Sequence, residues 1–155
     1  MILYAYEIAI IGTGSTIVGA LLGAWIGYRL SLSLAQVTAR RGAAIKLREA
    51  FKDEILAINP AQHALEIELP VFLENAFYKH RAAVFDFASF LKPIERTDFY
   101  AAWYQYYCHS DACNENSVPH FGQYSCHGLT IEQEHEMKKR VRDHMEKILD
   151  YAKYQ

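Results

Sequence analysis

Ile8 to Tyr28 reads IAIIGTGSTIVGALLGAWIGY, 21 residues without a charged side chain. As an α-helix rising ~1.5 Å per residue this stretch extends about 31 Å, the thickness of a bilayer's hydrocarbon core. Tyr4 and Tyr6 precede it, while Trp25 and Tyr28 close it, so aromatic rings fall at both water–lipid boundaries. A buried helix of a soluble domain fits less well, because a small domain rarely covers every face of so long an uncharged helix. A cleavable leader needs a basic n-region and a shorter apolar core. Met1 to Glu7 holds no Lys or Arg, and Arg29 follows the run directly, so the expected anchor is 1–34, with the span at about 8–28.

The flanks predict orientation. All 16 lysines and arginines follow Tyr28, with Arg29, Arg40, Arg41, Lys46 and Arg48 nearest the C-terminal end of the run. Basic residues stay on the cytoplasmic side, which puts the N-terminus outside and the rest of the chain inside an inner (cytoplasmic) membrane. The same side chains are positioned for anionic lipid headgroups. Thiols in that compartment are expected to be reduced. Within the run, Ser15, Gly19, Gly23 and Gly27 recur every fourth residue, continued by Ser31. Such a glycine zipper lets two helices approach closely, which predicts a homo-oligomer formed through the span.

Composition narrows the function classes. A chain of 155 residues with a formal charge of −2 offers no basic field for nucleic acid, and four prolines and eight glycines are too few for a disordered chain. Three cysteines, an odd number, exclude a fully paired disulfide framework within one chain.

The remainder, 35–155, reads as an all-α domain: a stalk helix and a small bundle of further helices. Ala44, Leu47, Phe51, Ile55 and Ile58 recur at steps of three and four, predicting a stalk helix over 35–58 that continues the membrane helix, with Gly42 the place for a bend. Asn59-Pro60 ends it. Residues 64–69 alternate apolar and acidic side chains but have no partner strand, so they are expected to lead into the next helix. Leu73, Phe77, His80, Val84, Phe87 and Leu91 then mark a helix over about 70–91. Thr97 or Asp98 can cap an aromatic-rich helix over about 97–108, its rings divided between the core and an exposed surface. Thr130 with Gln133 forms a capping box for a helix over about 130–153, with Met137, Val141, Met145, Ile148 and Ala152 inward. His80, on an apolar stripe, reads as a hydrogen-bonded interior histidine.

Residues 109–129 lack helical periodicity, and loops that long inside a compact domain are usually functional or disordered. Cys108, Cys113, Cys126, His120 and His127 lie in or beside this loop, and zinc takes four such nitrogen or sulfur ligands. The set lacks CxxC and HxxxH spacing, so no cofactor is expected beyond this one zinc possibility. No nucleophile elbow or phosphate loop is present, and no catalytic residue stands out.

The glycine-rich span, the stalk Lys46-Leu-Arg-Glu-Ala-Phe51 and the segment Ala76-Phe-Tyr-Lys-His-Arg-Ala-Ala-Val-Phe85 resemble small, uncharacterised bacterial membrane proteins with one N-terminal span and a cytoplasmic helical domain. The resemblance implies the same layout and brings no known activity with it, so no role is carried over. The leading expectation is a non-enzymatic membrane-anchored interaction or scaffold protein that self-associates through its span, with a protein partner of unknown identity. A metal- or redox-responsive membrane protein using the Cys/His loop is the alternative, and a small phage-type lytic or pore-forming protein the third.

Overall fold

The computed structural model describes residues 2–58, 68–108, 113 and 117–153, with side chains described from residue 19 onward. Among the described residues the regular structure is all helical: α1 is Ile2–Ala57, α2 Leu69–Ala88, α3 Pro93–Tyr107 and α4 Ile131–Asp150, with one 3-10 turn at Phe121–Tyr124. Two compact units divide the chain, residues 1–39 and 40–155. Residues 59–67, including most of the alternating segment, lie outside the described residues.

In the first unit, Leu21 is 66% exposed and Leu30 58%. Nine residues at about 100° each set these two on opposite sides of the helix. Trp25 and Ile26 are equally bare, and Arg29 rides over the Trp25 ring at 5.2 Å from its centroid. Among the described residues no helix is long and apolar enough to cross a membrane. Of the expected span, residues 8–18 lie outside those whose side chains are described.

The second unit holds the core. From α1 come Ala43, Ala44, Leu47, Ala50, Phe51 and Ile58, the stripe expected of the stalk. The α2 stripe is buried at every position from Leu73 to Leu91, although the helix itself ends at Ala88. Pro70 sits in the first turn of α2, where its missing N–H costs nothing. α4 opens on Thr130, whose Oγ1 accepts from the Gln133 N–H at 3.3 Å while the Gln133 side chain accepts from the Thr130 N–H at 2.9 Å.

Two boundaries differ from the sequence reading. α3 begins at Pro93, four residues before Thr97. Proline supplies a helical φ at N1, and the Glu95 carboxylate accepts from the Lys92 N–H at 3.3 Å, so the helix is closed without a Ser, Thr or Asp cap. Thr97 instead donates back to the Pro93 carbonyl from inside the helix. The expected structureless stretch 109–129 contains the 3-10 turn, whose Phe121 and Tyr124 are fully buried. Phe121 meets Phe77 and Tyr106 edge-on at 6.1 and 5.3 Å. The aromatic helix is mostly interior as well: Phe99, Trp103, Tyr106 and Tyr107 are buried, and Tyr100 and Tyr104 half-buried.

Candidate functional site

The polar groups of the second unit converge on His80. Three helices place them: Phe51 and Glu54 one turn apart on α1, Lys79 and His80 on α2, and Tyr106 in the last turn of α3. His80 and Tyr106 have no exposed surface, and Glu54 is buried. The His80 ring stacks on Phe51 with centroids 3.9 Å apart and planes 8° from parallel.

The ring nitrogens face different partners. Nε2 lies 3.2 Å from Glu54 Oε2, a close polar contact that lacks the alignment of a full hydrogen bond. Nδ1 is 3.1 Å from the Tyr106 hydroxyl. A carboxylate cannot donate, so the tautomer that suits both contacts carries its hydrogen on Nε2 and accepts the Tyr106 proton at Nδ1. The Glu54 carboxylate also accepts from Lys79 Nζ at 2.8 and 3.1 Å, and Lys79 sits 3.8 Å from the exposed Asp53.

Protonation follows from burial and charge. Burial pushes the Glu54 carboxyl up, but polar contacts from His80 and Lys79 outweigh it and bring it from 4.5 to about 2. Burial pulls His80 below 6.5, and the opposing pull of Glu54 does not restore it. At neutral pH the site is a Glu54–Lys79 ion pair next to a neutral imidazole. Burial, with Tyr124 and Glu54 nearby, drives the Tyr106 hydroxyl well above its ordinary range. Acid, imidazole and hydroxyl in a row have the form of a nucleophile relay. Here the hydroxyl end is sealed in the core and the arrangement joins three helices, while Lys79 at its other end stays partly exposed.

A second polar chain starts at the Tyr106 carbonyl, which accepts from the Tyr124 hydroxyl at 2.8 Å and from Gln123 Nε2 at 3.2 Å. The Tyr124 oxygen is also 2.7 Å from His144 Nδ1. The single hydroxyl hydrogen goes to the carbonyl, so His144 Nδ1 is the donor. Apart from these cores, a groove of about 430 Å³ runs between α1 and α4, floored by Ile55, Leu56 and Leu149 and rimmed by Arg48, Lys52 and Lys153.

The residues singled out by sequence fare differently. Cys108 and Cys113 are joined in a disulfide, whereas reduced thiols were the expectation, and this removes two sulfurs from the zinc set. Cys126 is a free thiol that donates to the Tyr124 carbonyl, and burial pushes its pKa up. His120 is exposed, and His127 pairs with Glu68 at 3.1 Å. Among the described residues no group of three or more His, Cys, Asp or Glu could hold a metal ion, so the five-residue ligand set is not assembled there. Of the basic flank, Arg40 and Arg41 are exposed, Lys46 faces Asp86 at 3.9 Å, and Arg48 donates to the Ala152 carbonyl at 2.8 Å, at the end of α4. Gly19, Gly23 and Gly27 are exposed, and a Cβ added to any of them would meet nothing within 4 Å. The side chain of Ser15 lies outside those described.

Sequence reading located His80 as interior but missed Glu54, Tyr106 and the 3-10 turn. Glu54 lies three residues beyond Phe51 and seven beyond Leu47, so it shares their face only after the helix is wound, a weak signal in a row of charged neighbours. Comparison with protein families, curated proteins and solved structures finds no match to this chain.

Proposed function

We propose that this is a single-span, membrane-anchored interaction protein without catalytic activity. In this reading Ile8–Tyr28 lies in the bilayer, the N-terminus faces outward, and residues 40–155 form a cytoplasmic helical domain that docks protein partners. Two copies pair along Ser15, Gly19, Gly23 and Gly27. The observation that carries the reading is the first unit: within the run Leu21 and Ile26, about 140° apart around the helix, both stand bare, and a helix apolar on widely separated sides needs an apolar surrounding. The sealed His80 network supports a structural use of the domain's ionisable groups, and the groove between α1 and α4 gives a partner an apolar floor with a charged rim.

The test is fractionation of full-length protein. It should resist carbonate extraction from membranes, and a phosphatase fused to its C-terminus should stay inactive. Extraction by carbonate removes the anchor reading, and an active phosphatase reverses the orientation. Gly23→Leu should abolish cross-linking between copies, and cross-linking that persists unchanged removes the zipper.

A further inference from the structure

We infer that the Cys108–Cys113 pair is a reversible redox latch that holds the 3-10 turn Phe121–Tyr124 against the end of α3. This rests on the cytoplasmic placement of the domain proposed above: the cytosolic thiol pool keeps ordinary cysteines reduced, so a bonded pair there is a responsive element and not a permanent staple. Cys108 terminates α3, and its Cα lies 6.3 Å from that of Cys113. Both residues are half-buried, within reach of a small thiol.

The residues just before Cys108 are the ones on which the turn is docked. The Tyr107 carbonyl accepts from the His120 N–H at 2.9 Å, and the Tyr106 carbonyl accepts from both Tyr124 and Gln123. Closing the chain at Cys108 therefore limits the freedom of the segment that must return to these carbonyls with Phe121 in the core. Opening it restores that freedom and shifts the docking equilibrium toward the undocked turn. The chemistry balances with a glutathione-class thiol. One thiolate attacks a sulfur of the pair and forms a mixed disulfide. A second thiolate then displaces the protein thiolate and leaves as the oxidised dimer. Two electrons and two protons end on Cys108 and Cys113. Cys126, on the far side of the turn and hydrogen-bonded to Tyr124, is a poor competitor for either sulfur, because its thiol is held protonated by burial.

Hydrogen exchange read by mass spectrometry on full-length protein in nanodiscs, with and without dithiothreitol, tests the latch. Under denaturing alkylation one cysteine should react before reduction and three after it. Reduction should speed amide exchange at 121–124 at least tenfold while α2 and α4 keep their protection, and oxidised glutathione should restore it. The Cys108→Ser, Cys113→Ser double variant should show the fast exchange under both conditions. Three reactive cysteines before reduction, equal exchange at 121–124 in the two states, or loss of protection across all helices together would each overturn the latch. A C-terminal phosphatase that is active would instead overturn the cytoplasmic placement, and with it the reversible role. The exchange measurement still reports on its own whether the pair controls the turn.

Discussion

His80 has no exposed surface, yet both of its ring nitrogens sit next to polar atoms. Removing the ring should be costly on two counts. His80→Ala leaves a cavity against Phe51 and takes a partner from the buried Tyr106 hydroxyl, together worth about 3 kcal/mol. The expected readout is a lower denaturant midpoint at unchanged slope. The pH dependence follows from the two shifted groups. Because burial lowers His80 below 6.5, the unfolded chain takes up its proton first, so stability is full above 6.5 and declines as pH falls from there toward the folded value. Glu54, lowered to about 2, adds a second loss that starts below 4.5 and runs down to about 2. A series of melting temperatures from pH 8 to 4 should slope downward, and His80→Gln should flatten the part between 6.5 and 4.5. An identical slope in that variant would assign the effect elsewhere. His80 was legible as an interior position because it keeps step with Phe77 and Val84. Its partners were not, because Glu54 and Tyr106 lie 26 residues away on either side and only packing brings them together.

Single elements differ in how far local chemistry determines them. The start of α4 is local: Thr130 and Gln133 satisfy each other's N–H groups within four residues. Thr130→Ala should cost about 1 kcal/mol in thermal or chemical unfolding, with no effect on the His80 network. The 3-10 turn is the opposite case. Its four residues carry no periodic signal, and its stability comes from Phe121 and Tyr124 filling the space between α2, α3 and α4. Tyr124→Phe keeps the ring and removes the hydroxyl shared by the Tyr106 carbonyl and His144, so it should cost roughly 1–2 kcal/mol. The loss should appear as faster exchange at the end of α3 before it appears elsewhere. A neutral outcome would mean that Gln123, the other donor to the Tyr106 carbonyl, satisfies it alone. α3 lies between these extremes. Its proline start was available in the sequence, but Thr97 and Asp98 offered a more familiar cap, and proline at N1 with Glu95 behind it prevailed.

The whole molecule divides where its side chains change environment. Every buried apolar residue described, from Ala43 to Ala152, belongs to the unit 40–155. A fragment of those residues should therefore unfold cooperatively without detergent, with a melting temperature within a few degrees of the full chain. A fragment that fails to fold would show that the core borrows support from residues 1–39. The sequence by itself determined the helical class, the apolar stripes of α1, α2 and α4 and the cap of α4, because helix periodicity and capping act over three or four residues. It also marked out the uncharged run 8–28. Only the tertiary structure decided that Glu54, His80 and Tyr106 form one network, that Cys108 pairs with Cys113, that Arg48 closes the end of α4, and that a loop supplies two core aromatics. Each of these is a contact whose free energy depends on burial and on alignment between distant segments, and neither quantity exists until the helices have packed.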